Sequence, residues 1–126
     1  STLAIISGDG FVEFNATPAP VALVGGLGNG NTTASYTDID YGIMLFTDNK
    51  VYVYQNGALI GGSRGTYVAG DTFRIAIEGG AVRYYKNGLM LYQCLVAPTY
   101  PLVFDTSLKT TGSSITNAVI AGDDLI

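Results

Sequence analysis

Apolar and polar residues alternate along most of this chain with a period of two. In Thr72-Phe-Arg-Ile-Ala-Ile-Glu78 the residues Phe73, Ile75 and Ile77 fall on one side, and Thr72, Arg74 and Glu78 on the other. That pattern predicts a strand with one buried face. A second signal is repetition: Val51-Tyr-Val-Tyr-Gln-Asn-Gly57 recurs as Val82-Arg-Tyr-Tyr-Lys-Asn-Gly88. Each copy alternates and then runs into Asn-Gly, which supplies the two positive-φ positions of a type I′ turn, so both predict β-hairpins. Gly79-Gly80 predicts a third tight hairpin, and Asp48-Asn49 joins Tyr41-Gly-Ile-Met-Leu-Phe46 to Lys50-Val-Tyr-Val-Tyr54.

The remaining segments read the same way. Leu3-Ala-Ile-Ile6 is a strand closed by a turn at Ser7-Gly-Asp-Gly10, and Phe11-Val-Glu-Phe14 follows as the next strand. Residues 15–20 read as a loop, Val21-Ala-Leu-Val-Gly25 as a strand, and residues 25–38 as the longest irregular stretch. A connection of that length in a compact domain is usually functional or disordered. Further strands are expected at Ala58-Leu-Ile60, residues 89–96, Leu102-Val-Phe104 and residues 114–120, with residues 66–71 as a connector and a bend between Pro98 and Pro101. About ten short strands and no segment of helical period predict an all-β fold. An antiparallel β-sandwich of jelly-roll type, two sheets face to face, manages the exposed edges of so many strands. The 126 residues suffice for a single domain spanning 1–126, and the chain is expected to be a module of a longer protein.

Composition narrows the function. Charged residues make up 13% of the chain, against about 25% in an average soluble domain. The net charge is −4 and the basic residues Lys50, Arg64, Arg74, Arg83, Lys86 and Lys109 are scattered. No nucleic-acid partner is expected, because phosphate neutralisation needs a clustered basic surface. No apolar stretch approaches the ~20 residues of a membrane span, so membrane insertion is not expected either. The single cysteine, Cys94, forms no intrachain disulfide and reads as a small core hydrophobe. Few cysteines and abundant Thr, Ser, Asn and Gly suit an extracellular or cell-surface setting.

Four stretches, in order, carry a resemblance: Gly8-Asp-Gly-Phe-Val-Glu-Phe14, Asp40-Tyr-Gly-Ile43, Gly70-Asp-Thr-Phe-Arg-Ile-Ala-Ile-Glu78 and Val82-Arg-Tyr-Tyr-Lys-Asn-Gly88. Together they resemble the concanavalin A-like lectin/glucanase jelly rolls, and in particular the small modules of that superfamily attached to bacterial surface proteins and carbohydrate-active enzymes. The resemblance spans residues 8–108 and implies the sandwich and a carbohydrate ligand. The motifs are mainly turns that determine architecture. The glucanases' Glu-x-Asp-x-Glu strand is missing, since the only glutamates are Glu13 and Glu78. The lectins' calcium and manganese ligand set, with its histidine, is missing too.

Candidate binding chemistry lies in the aromatic rows. Tyr52 and Tyr54 oppose Val51 and Val53, while Arg83 and Tyr85 oppose Val82 and Tyr84. If the valines are core, Tyr52, Tyr54, Arg83 and Tyr85 lie on an outer or concave face. Tyrosine combines a flat apolar ring with a hydroxyl, which suits stacking on a sugar. Asn29 and Asn31 of the long loop would complete the polar contacts. The competing reading is that these aromatics are cross-strand pairs that stiffen the sheet. Asp38 and Asp40, with Asn29 and Asn31, carry oxygen ligands of the kind calcium takes, though such residues also close Asx-turns. Glycoside hydrolysis needs two carboxyls about 5–10 Å apart, and Glu13 with Glu78 is the one candidate pair. The competing reading makes both simply solvent-facing. The chain contains no histidine, which removes Ser/His/Asp and Cys/His machinery. Gly25-Gly-Leu-Gly-Asn-Gly30 lacks the following helix and Lys-Ser/Thr of a phosphate loop.

The expectation is therefore a non-catalytic carbohydrate-binding or adhesive module rather than an enzyme, with a glycan or polysaccharide partner and no cofactor other than calcium. The alternative is a structural subunit of a surface or filament assembly that self-associates through its strands. A glycoside hydrolase ranks third.

Overall fold

The structure, a computed structural model, describes residues 4–17, 22–29, 39–56, 58–95, 98, 100–108 and 114–125. Its strands are β1 (Ala4–Thr17), β2 (Leu23–Gly28), β3 (Tyr41–Leu45), β4 (Val51–Gln55), β5 (Ala58–Leu59), β6 (Thr72–Glu78), β7 (Ala81–Lys86), β8 (Leu89–Cys94), β9 (Leu102–Leu108) and β10 (Ser114–Leu125). No helix occurs among the described residues. The strands form one continuous ladder in the order β5-β4-β3-β2-β9-β1-β6-β7-β8, with β10 against β1. Every pairing in it is antiparallel.

β1 is where the ladder folds over. Ala4 and Ile5 pair with β9, whereas Gly10 to Asn15 pair with β6. The result is two layers, β5-β4-β3-β2-β9 and β10-β1-β6-β7-β8, closed over one core that takes side chains from both. The turn expected at Ser7-Gly-Asp-Gly10 is not a turn but an irregular stretch inside one long strand. β10 stays paired along it, with register shifts between Ile5/Ser7 and Ser7/Gly10, and Gly8 takes a φ of 71°. Such bulges bend a strand, which lets β1 leave one layer and enter the other.

Phe14 centres the core, with its ring 5.7 Å from that of Phe73 and 5.9 Å from that of Phe104. Tyr84 is wholly buried and donates its hydroxyl across the layers to Gln55 Oε1 at 3.2 Å. Burial, reinforced by Cys94 and the neighbouring tyrosines, pushes its phenol pKa up. Cys94 is half-buried against this core and unbridged. β2 runs on past Gly25 through Gly26 to Gly28, where the glycines suggested the start of a loop. A Cβ at Gly25 would lie 2.7 Å from the Phe14 ring, and one at Gly26 would collide with the Tyr41 carbonyl. These glycines permit close approach rather than a turn. The hairpin glycines and asparagines behave as expected, with φ of 60° and 83° at Gly79 and Gly80 and 51° and 84° at Asn87 and Gly88.

Candidate functional site

The alternation that sends Val12, Phe14, Phe73, Ile75, Ile77, Val82 and Tyr84 into the core turns the intervening side chains of β1, β6 and β7 outward. Register then sorts them into rows. Glu13 lies opposite Arg74, and Arg74 opposite Tyr85. The next row holds Phe11, Ala76 and Arg83, and on the other side Asn15 lies opposite Thr72.

The middle of this face holds two bonded groups side by side. Arg74 donates to Glu13 Oε2 through both Nη2, at 2.6 Å, and Nε, at 2.8 Å. Its guanidinium also lies 4.0 Å from the centre of the Phe11 ring, a favourable cation–π geometry. Arg83 donates to Glu78 Oε1 at 3.2 Å through Nη1 and to Gln93 Oε1 at 3.2 Å through Nε. The Tyr85 hydroxyl donates to the same Glu78 oxygen at 2.7 Å. These groups enclose a depression of about 540 Å³ lined by Glu13, Thr72, Arg74, Glu78, Tyr85 and Asn87. A smaller one of about 290 Å³, beside Asp9 and Phe11, shares Arg74 and Glu78 with it. At the rim, Asn15 Nδ2 donates to Thr72 Oγ1 at 2.8 Å and Asn87 Oδ1 accepts from the Thr72 amide at 2.9 Å.

Electrostatics fix the protonation states. The Tyr85 hydroxyl holds the Glu78 carboxyl below its usual range; burial opposes it, and the Arg83 guanidinium, with the charge of Arg74, adds to the lowering. The same bond to Glu78 raises the Tyr85 phenol above its own. Near neutral pH Glu78 is an acceptor and Tyr85 a neutral donor. The face therefore offers fixed acceptors, fixed donors and an aromatic ring on rigid strands.

Of the residues singled out from sequence, Arg83 and Tyr85 belong to this face. Tyr52 and Tyr54 do not. Val51, Val53, Val82 and Tyr84 all point into one core from opposite layers, so the residues between them point away from each other. The two copies of the repeat lie in different layers, and the expected face of Tyr52, Tyr54, Arg83 and Tyr85 is not formed. Tyr54 is 1% exposed, packed with Val24, Ile39 and Met44 in a second apolar cluster. Tyr52 is half-buried beside it; its hydroxyl donates to Asp48 at 2.9 Å and its ring meets Phe46 edge-on. Asn29 donates its amide N–H to Asp40 Oδ2 at 2.7 Å and its side chain to the Pro101 carbonyl at 2.9 Å. Asn31 and Asp38 lie outside the described residues. Among the described residues no three of His, Cys, Asp and Glu are grouped to hold a metal ion. Sequence reasoning passed over Glu13, Arg74 and Phe11 as binding residues. Their outward phase was legible, but their juxtaposition depends on the β1–β6 register.

Neither a protein-family model nor a curated protein sequence matches this chain. Solved structures do. Alginate lyase AlgAT5 from polysaccharide lyase family 7 superposes with a TM-score of 0.63 at 18% identity, covering 90% of this chain and 59% of the lyase. The alginate lyase from Corynebacterium sp. gives 0.59 at 13% identity, covering 94% and 60%. The carbohydrate recognition domain of Emp47p gives 0.50 at 6% identity, covering 94% and 70%. The chain thus spans under two thirds of the length of either lyase. At these identities the likeness shows the fold alone, which is a jelly-roll β-sandwich. It also corrects the expectation that the chain is not an enzyme. Two of the structures that share this fold are lyases, so the architecture itself does not set the chain apart from catalysis.

Proposed function

We propose that the chain binds a polysaccharide on the outer face of the β10-β1-β6-β7-β8 layer, with Glu13, Arg74, Glu78, Arg83 and Tyr85 as contact residues. The observation that carries this reading is the pairing of these side chains. A Glu13–Arg74 pair and a Glu78–Arg83–Tyr85 triad stand side by side on strands rather than loops, and Glu13, Arg74, Glu78 and Tyr85 line a depression of about 540 Å³. A sugar presents hydroxyls that both donate and accept, interleaved with apolar C–H surface. Carboxylates accept from such hydroxyls, guanidinium forks donate to them, and a tyrosine ring stacks on the C–H surface. Side chains already held in place lose little rotamer freedom when a ligand arrives. The two alginate lyases and the carbohydrate recognition domain of like fold support a glycan as the ligand class. An extracellular or cell-surface setting, where polysaccharides are met, belongs to the same proposal.

The test is affinity electrophoresis through gels containing a panel of polysaccharides, with Tyr85→Ala beside the wild type. Losing one stacking aromatic is worth about 1–3 kcal/mol, or roughly ten- to a hundredfold in affinity. Tyr85 lies outside the core, so its variant should keep the wild-type unfolding midpoint while losing retardation. A wild type retarded by no polysaccharide defeats the proposal, and a Tyr85→Ala chain retarded like the wild type moves the site elsewhere. Following the same polymers for new reducing ends shows whether binding leads to cleavage.

A further inference from the structure

We infer that the glycan taken by this face is uncharged, and that Glu13 and Glu78 turn polyanionic chains away. The inference rests on the reading that a polysaccharide binds here at all. Both arginines of the face are already neutralised, Arg74 at 2.6 Å from Glu13 and Arg83 at 3.2 Å from Glu78. Lys86 belongs to the inward row of β7, opposite Phe73, and its ammonium donates to the Thr66 carbonyl. Asp9 lines the smaller depression and Asp71 stands at the rim, accepting from Asn87. Among the described residues, then, the face carries no cation without a carboxylate, and its surroundings add negative charge.

The distribution of bonds on the two glutamates points the same way. Among the described residues, every bond to Glu13 goes to Oε2 and every bond to Glu78 to Oε1. Glu13 Oε1 and Glu78 Oε2 remain as acceptors. A sugar hydroxyl supplies the donor each requires. A uronate carboxylate supplies none, and one that reached the remaining N–H groups of either guanidinium would lie beside a glutamate, where like charges repel. The ends of the central row are apolar rather than basic. Val119 opposite Glu13 is 47% exposed and Met90 opposite Tyr85 is 53% exposed, so they extend the face with surface that suits the C–H side of an uncharged pyranose.

The experiment compares retardation in gels of galactomannan and mixed-linkage β-glucan with retardation in gels of alginate and polygalacturonate, for the wild type and for E13Q/E78Q. The wild type should bind a neutral polymer at least tenfold more tightly than either polyuronate, on the electrostatic argument above. Added salt should leave the neutral binding unchanged. E13Q/E78Q frees both guanidinium groups, so it should gain retardation by the polyuronates. If the double variant loses the wild-type circular dichroism spectrum, the single E78Q variant serves the same purpose. A wild type held by polyuronate and not by the neutral polymers overturns the inference while leaving polysaccharide binding intact. A variant whose polyuronate retardation does not rise removes the selecting role of the two glutamates. Retardation in none of the gels sinks the inference together with the function it rests on.

Discussion

Tyr85 donates to Glu78 at 2.7 Å, and this bond acts on both groups. It holds the Glu78 carboxyl below its ordinary value of 4.5 and raises the Tyr85 phenol above 10.0. A depressed carboxyl favours the folded state above the unfolded pKa, and that contribution is lost as pH falls through the folded value. A raised phenol favours the folded state at pH below 10.0, and that contribution disappears as pH rises past it. The pair therefore supports the face across the whole range between. Its share of stability is small, because the Glu78 side chain is 42% exposed and solvent screens it. Its effect on titration is direct. Tyr85→Phe removes the largest cause of the depression, so the Glu78 carboxyl should titrate closer to 4.5 in a carboxyl-carbon NMR titration. An unmoved midpoint would mean that Arg83 alone holds the carboxylate.

Among the elements, β2 shows how a local signal is overruled by its neighbours. Glycine runs punctuate loops, yet Gly25 and Gly26 lie in a strand because the Phe14 ring and the Tyr41 carbonyl leave no room for a Cβ. Gly26→Ala should destabilise by about 1–3 kcal/mol, as overpacking does when the obstacle cannot rotate away. That corresponds to a fall of several degrees, on the order of 4 °C per kcal/mol for a chain of this length, measurable by calorimetry. Gly62→Ala is the control, since its Cβ would meet nothing within 4 Å. Equal midpoints for the two variants would contradict the close packing of β2 on β3. The hairpins at Gly79-Gly80 and Asn87-Gly88 were legible because a turn is written in the two residues that make it. The irregular stretch at Ser7–Gly10 was not, because it exists only through pairing with β10, at the far end of the chain.

For the whole molecule, alternation told which side chains face out but not which layer they face out from. Tyr52 and Arg83 occupy equivalent places in the repeat, yet they face away from each other because β4 and β7 sit in different layers. Arg83 and Tyr85 share one outer face for that reason, and beside them stand Glu13 and Arg74, brought together across 61 residues of sequence. The fold was readable from local pattern, while the site depended on long-range register. The central claim is that this outer face receives a glycan. Amide ¹H–¹⁵N correlation spectra, recorded as oligosaccharide cut from a retarding polysaccharide is added, test it most directly. Graded shifts are expected at Glu13, Arg74, Glu78, Arg83 and Tyr85, with Met44, Tyr52 and Tyr54 unmoved. Shifts gathered at Met44, Tyr52 and Tyr54, with the β1–β6–β7 face silent, would contradict it.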